Sequence, residues 1–159
     1  TDYFYLGNAQ PKLMMGWNNN FKYGKWDLNF FFRGVFGNQI FNATRADLSY
    51  VVAAAQNNIL ASAKDDKITD NRNSFYSTRY IEKGNYIRLD NATLSYNFGN
   101  LAKGISNMRL YITGNNLVTI TKYSGIDPEI NQGGVSPGID YNNFFPKTRT
   151  VMFGVNLSF

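Results

Sequence analysis

The sequence contains no cysteine and no histidine. That removes disulfides, thiolate nucleophiles, imidazole bases and zinc sites of the usual kinds, and most enzyme mechanisms go with them. Charge is also scarce, at 17% of residues, and the 16 Lys and Arg are spread along the chain rather than clustered. The net charge of +5 therefore supplies no basic patch, and nucleic acid is not an expected partner. No stretch approaches the roughly 18 to 20 continuous apolar residues of a membrane helix. The opening residues lack the basic and apolar regions of a signal peptide, so the chain is expected to begin inside a longer polypeptide.

What the sequence has in excess is aromatic side chains: 13 Phe, 11 Tyr and 2 Trp, or 16% of 159 residues. That is unusual for a water-soluble domain with so few charges. Two environments accommodate it, the aromatic girdles of a bilayer-spanning barrel and the interior of a soluble β-sandwich.

Polar and apolar residues alternate with period two in five segments, about 12–23, 26–37, 86–98, 107–119 and 150–159. In the first, Leu13, Met15, Trp17, Phe21 and Tyr23 share one parity, and Met14, Gly16, Asn18, Asn20 and Lys22 the other. A turn at Gly24 leads into the second, where Trp26, Leu28, Phe30 and Phe32 oppose Asp27, Asn29, Phe31 and Arg33. The third switches parity, from Ile87 and Leu89 to Ala92, Leu94, Tyr96 and Phe98, which predicts a β-bulge near Asp90 and Asn91. The fourth sets Met108, Leu110 and Ile112 against Arg109, Tyr111 and Thr113, and loses its rhythm at Asn115 and Asn116. The fifth alternates from Val151 to Phe159.

These segments run about 10 to 13 residues, near the roughly 9 to 11 that a tilted strand needs to cross the hydrocarbon layer and longer than the ~5 to 6 typical of soluble strands. The connections alternate between short (22–25 and 99–106) and long (38–85 and 120–149), as the periplasmic turns and outer loops of an outer-membrane barrel do. The expected fold is thus all-β, an antiparallel transmembrane barrel segment with a short helix in a long outer loop. That helix has Thr44 as its expected cap, Asp47 in its first turn, and Leu48, Val51, Val52, Ala55, Ile59 and Leu60 as an apolar stripe. Five strands cannot close a barrel, so the others are expected from the segment preceding Thr1.

Particular stretches are familiar. Leu6-Gly7-Asn8-Ala9-Gln10-Pro11-Lys12 is similar to "(I/L)GNxxPK", and Gly37-Asn38-Gln39-Ile40-Phe41-Asn42 to "GNKIFN". Tyr86-Ile87-Arg88-Leu89-Asp90-Asn91-Ala92-Thr93-Leu94-Ser95-Tyr96 resembles "YLRLKNITLGY", departing at Asp90 and Ser95. The block from Leu110 to Leu117, with Lys122-Tyr123-Ser124-Gly125-Ile126-Asp127-Pro128-Glu129, resembles "LYVTGQNLFTFTKYxGxDPE", and the stretch from Phe145 to Phe159 resembles "YPxxRTxxFGLNLTF". Together these motifs resemble the C-terminal segment of SusC/RagA-family TonB-linked outer-membrane transporters. The resemblance implies the last five strands of a roughly 22-stranded plugged barrel. It implies a Gram-negative outer-membrane importer of glycans or peptides that works with a SusD-like surface lipoprotein and draws energy through TonB. The partners it implies are the rest of the barrel and its plug, outer-membrane lipid, and an oligosaccharide or peptide substrate. The energy-coupling residues lie outside this segment.

No catalytic or cofactor-binding residues are expected. Arg33, Arg88 and Arg109 fall on lumen-facing positions, where they either bond neighbouring strands and the plug or line a substrate path. Tyr123, Asp127, Glu129, Asp140 and Tyr141 sit in the last long loop as candidate contacts to ligand, lid or a structural Ca²⁺. Asp65, Asp66 and Asp70 lack the Gly and distal Glu of an EF-hand loop and read as a solvated turn. Three sequons, at Asn42, Asn91 and Asn156, carry no weight, since two of them lie in expected strands and the setting the resemblance implies is bacterial. The ending on Phe159 fits the aromatic C-terminal strand that barrel assembly machinery reads. The competing function is a soluble or surface-exposed aromatic-rich carbohydrate-binding module. A hydrolase would need two converging carboxylates, which the spacing of the 11 acids does not suggest.

Overall fold

The computed structural model describes residues 5–66, 76–100, 104–130, 137–141 and 145–159. Its elements are β1 (Leu13–Tyr23), β2 (Trp26–Phe36), β3 (Gln39–Phe41), α1 (Ala43–Leu48), α2 (Ala63–Asp66), β4 (Ile81–Lys83), β5 (Tyr86–Gly99), β6 (Asn107–Thr121) and β7 (Thr150–Ser158). They fall into two compact units. A sheet unit comprises Leu13–Val35, Tyr86–Ile120 and Lys147–Phe159; a loop unit comprises Thr1–Lys12, Phe36–Asn85 and Thr121–Pro146.

The sheet is all-β, with strand order β1-β2-β5-β6-β7, and β2 with β5 and β6 with β7 pair antiparallel. β1 reverses into β2 at Gly24, whose φ of 57° lies in the region a glycine enters without a Cβ clash. Cross-strand partners share a face, so the register sorts the side chains. Leu28 opposes Leu94, Phe30 opposes Ala92, Leu110 opposes Val155 and Ile112 opposes Phe153 on one face. On the other, Asn29 opposes Thr93, Arg33 opposes Arg88 and Arg109 opposes Asn156.

The apolar face is exposed. Trp17 is 59% and Phe153 80% accessible, and aromatic rings cover much of β1, β2 and β5. Trp17 stacks on Phe32 with centroids 5.9 Å apart, Phe21 on Phe30 at 5.8 Å, and Trp26 meets Tyr96 edge-on at 4.8 Å. Each such pair contributes about 0.5 to 1.5 kcal/mol beyond its buried area. The polar face is joined across all five strands. Asn29 Nδ2 donates to Asn18 Oδ1 at 3.3 Å, Ser95 Oγ to the Asp27 carbonyl at 3.4 Å and Asn91 Nδ2 to Asn115 Oδ1 at 2.7 Å. The Thr93 and Thr113 hydroxyls lie 2.8 Å apart, and Asn115 Nδ2 reaches Thr150 Oγ1 at 3.3 Å. The Tyr111 ring lies over Gly154, in the space a Cβ there would fill.

The parity switch in β5 has the cause its sequence suggests. Phe31 pairs with Asn91 and Phe32 with Leu89, so Asp90 is the extra residue of a bulge. The lost rhythm in β6 coincides with Asn116, which takes φ 52°, a left-handed conformation Asn tolerates better than most residues.

In the loop unit, β3 and β4 form a two-stranded ladder and the buried core is Ala46, Tyr50 and Tyr80, flanked by Phe41 and Ala53. The helix here departs from expectation. Asn42, not Thr44, caps it, its Oδ1 accepting from Arg45 N at 2.8 Å, and no acid lies in the first turn. The α-helix stops at Leu48, where Ser49 Oγ donates back to the Arg45 carbonyl at 2.5 Å, and only a 3₁₀ turn at Val51–Ala55 follows. The expected stripe is consequently not the buried face: Val51, Val52 and Ala55 are exposed, while Ala43, Ala46 and Tyr50 turn inward.

Because Asp90 is surplus to the alternation, deleting it should leave both faces of β5 correctly sorted and remove only its contacts, at a cost of about 1.5 to 3 kcal/mol for charge-assisted hydrogen bonds. Deleting Thr93 inverts every residue on one side of the cut. Comparing the two deletions by heat-modifiable gel mobility in the whole protein checks this, with folded product expected for the Asp90 deletion alone.

Candidate functional site

Asn42 organises the loop unit because its short amide reaches three segments at once. Beyond capping α1, its Nδ2 donates to Glu82 Oε1 at 3.1 Å and to Ser124 Oγ at 3.3 Å. Glu82 closes the network: Oε1 accepts from Ser124 Oγ at 2.6 Å and Arg45 Nη1 at 3.4 Å, and Oε2 from Ser124 N at 2.8 Å. A carboxylate on β4 thus holds the helix and the last long loop together. Asn42 is 2% exposed, so its own bonds are largely shielded from competing water.

Asp140 makes a second junction. Its main chain bridges to Phe41 and Thr44, with Asp140 N to Phe41 O at 2.9 Å and Thr44 N to Asp140 O at 2.8 Å. Its carboxylate accepts from the Tyr123 hydroxyl through Oδ2, and from Thr44 Oγ1 at 3.3 Å through Oδ1. Burial, then the hydrogen bond to Asp140, then the charges of Asp140 and Glu82 push the Tyr123 phenol up from its ordinary value of 10.0, so it stays protonated. Gly125 makes room for it: a Cβ at 125 would run into the Tyr123 ring.

Between these junctions lies a cleft of about 690 Å³. Its lining mixes polar side chains, among them Asn42, Thr44, Arg45, Ser62, Ser124 and Asp140, with Leu48, Leu60, Ile126 and Tyr141.

The structure therefore brings together three of the five expected loop residues, Tyr123, Asp140 and Tyr141. Asp127 and Glu129 stand apart from that cleft. Asp127 is 5% exposed and its Oδ1 accepts from Glu129 N at 2.9 Å, a turn-stabilising role. Among the described residues no three acids converge as a cation site would need. Asp65 is exposed, and Asp70 lies outside the described residues.

In the sheet unit, Arg33, Arg88 and Arg109 all lie on the polar face. Arg33 grips the bulge residue Asp90 with two bonds, Nε to Oδ2 at 2.7 Å and Nη2 to Oδ1 at 3.2 Å. Arg88, 1% exposed, lies 5.4 Å from the centroid of the Tyr86 ring, and Arg109 Nη2 donates to Ser95 Oγ at 2.7 Å.

Sequence reasoning missed Asn42, Arg45, Glu82 and Ser124. The GNQIFN stretch carries Asn42 and the KYSG stretch carries Ser124, so recurrence in motifs was the available signal; Glu82 offered none.

The raised Tyr123 value fixes the sign of a pH effect. The unfolded phenol ionises near 10, whereas the folded one does not, so its contribution is complete below about pH 10 and lost above it, at about 1.4 kcal/mol per pH unit. Hydrogen exchange at the Phe41, Thr44 and Asp140 amides should show protection falling between pH 9 and pH 11, and Tyr123→Phe should flatten that fall while lowering protection at neutral pH.

No family model matches the sequence. The chain is 33% identical over 170 residues to TonB-dependent receptor P3 of Formosa agariphila, with 97% of the chain aligned. To TonB-dependent receptor SusC of Bacteroides thetaiotaomicron it is 28% identical over 158 residues, 92% of the chain. It spans only 17% and 15% of those two relatives. Its fold matches the RagAB peptide importer in the closed-closed state with a TM-score of 0.74 at 23% identity, over 96% of this chain and 18% of that one. The open-open state gives 0.73 at 20% identity. By sequence the chain belongs to the TonB-dependent receptors, SusC among its homologues, and it shares its fold with the matching part of the RagAB importer.

Proposed function

We propose that the chain forms part of the barrel wall and outer loops of a TonB-dependent importer in the outer membrane of a Gram-negative bacterium. One observation carries the reading: a five-stranded sheet leaves an aromatic-rich apolar face exposed or half-exposed while its opposite face is mainly polar and cross-bonded. Water does not favour that division; a bilayer on one side and a hydrated lumen on the other does. The strands, of 9 to 15 residues, are long enough to cross. Short connections leave one end of the sheet, at Gly24 and at 100–106, and the long segments 37–85 and 122–149 leave the other. The former fit the periplasm and the latter the cell exterior.

β1 and β7 are the outermost strands of the sheet. An edge facing hydrocarbon leaves amides and carbonyls unpaired at several kcal/mol each, so both edges require partner strands from the rest of a barrel of roughly 22 strands. Arg33, Arg88 and Arg109 then face the lumen and its plug. Tyr123, Asp140 and Tyr141 lie outside, where a SusD-like lipoprotein closes over the cargo, and coupling to TonB runs through parts of the protein beyond this chain. The cargo we propose is a glycan or a peptide, peptide being the cargo for which the fold neighbour RagAB is named.

The test uses single cysteines in a cysteine-free whole protein. Phe153→Cys on the apolar face should react with a bilayer-soluble maleimide and resist a membrane-impermeant one, and Asn156→Cys on the polar face should do the reverse. Equal labelling of both by the impermeant reagent would remove the bilayer from the apolar face and the importer reading with it.

A further inference from the structure

Asp140 stands out among the described acids. It is 4% exposed, yet it borders an open cleft. Both of its side-chain partners are neutral hydroxyls, those of Tyr123 and Thr44. Among the described residues no lysine or arginine pairs with it; Arg45, on the same cleft, is in contact with Glu82 at 3.4 Å. A carboxylate has about four acceptor positions, so this one has capacity left, and a buried carboxylate without a countercharge is costly. Asp90, by contrast, is neutralised by Arg33 at 2.7 Å.

We infer that this cleft binds a ligand bearing an alkylammonium or guanidinium group, whose cation takes the open acceptor positions of Asp140. Leu48, Leu60 and Ile126 in the lining suit the methylene stem of such a group, and Tyr141, 54% exposed, adds an aromatic ring to that lining. A volume of about 690 Å³ is in the range of small-ligand sites and suits a short peptide. A neutral sugar would hydrogen-bond Asp140 and leave its charge uncompensated. The inference rests on the importer reading only in taking the ligand for cargo; the charge argument stands without it.

The experiment is calorimetric titration of the whole assembled protein with two end-blocked tripeptides, one with arginine at its centre and one with the neutral isostere citrulline. The arginine peptide should bind roughly tenfold tighter or better, as a charge-assisted contact implies, and weaken with added salt. Asp140→Asn should erase the difference between the two peptides. Because that change touches the Tyr123 and Thr44 bonds, Ser62→Lys provides a second variant: it puts an ammonium in the cleft, leaves both junctions intact, and should abolish arginine-peptide binding. Equal binding of the two peptides, binding of neither, or a preference that survives both variants would overturn the site. Bilayer labelling unchanged in that case leaves the importer reading standing, whereas arginine-selective binding by a protein that fails the labelling test sinks the importer reading alone.

Discussion

The ion pair between Arg33 and Asp90 exists only because β5 carries one residue more than β2 can match. The surplus residue does two things together. It presents a carboxylate within 2.7 Å of the Arg33 guanidinium, beside a neighbour, Arg88, that is 1% exposed. It also resets the alternation, so that Ile87 and Leu89 before it and Ala92, Leu94 and Tyr96 after it share one face. A regular ladder through the same residues would send one half of that set to the polar side. The separation of apolar from polar faces, on which the bilayer reading depends, thus passes through a single irregularity.

The two faces are stabilised by different physics. On the polar side, short side chains bond directly from strand to strand, and each bond fixes the register its neighbours need. On the apolar side, large rings meet at 4.7 to 5.9 Å in stacked and edge-on pairs while remaining widely exposed. Such pairs orient the rings without burying them, and a sheet that exposes this much aromatic surface reaches its full stability only in a solvent that accepts it.

What could be read from the sequence divides along the same line. Strand periodicity is local, and a period of two is unambiguous over ten residues, so the five long strands, the turn at Gly24 and the bulge at Asp90 were all legible. The loop unit was not, because its contacts are distant in sequence: Asn42 meets Glu82 and Ser124, and Thr44 meets Asp140. By residue type Thr44 is an acceptable cap, though Asn42 is the better one. What selects Asn42 is that its amide, having capped the helix with its oxygen, still has two N–H donors on a separate nitrogen to give to β4 and the last loop; a threonine hydroxyl has a single donor, on the capping atom itself. The apolar stripe failed because α1 stops at Leu48, where Ser49 Oγ bonds the Arg45 carbonyl, and beyond the buried Tyr50 the residues Val51, Val52 and Ala55 face solvent.

Asp90 and Asp140 show how one residue type takes on different roles by environment. Asp90 is in the sheet, 20% exposed at its side chain, and a guanidinium neutralises it through two bonds, which makes it structural. Asp140 is more deeply buried and is held by two hydroxyls, which fix its orientation but contribute no charge. Neutral donors are the suitable partners for a group that must keep its electrostatic pull, because a resident cation would cancel the field a ligand is to feel. Glu82 clarifies the contrast: it lies in the same unit, and Arg45, Asn42 and Ser124 saturate it. In the loop unit Glu82 is therefore satisfied by the protein, whereas Asp140, bordering an open cleft, is positioned by the protein and left for an outside cation to neutralise.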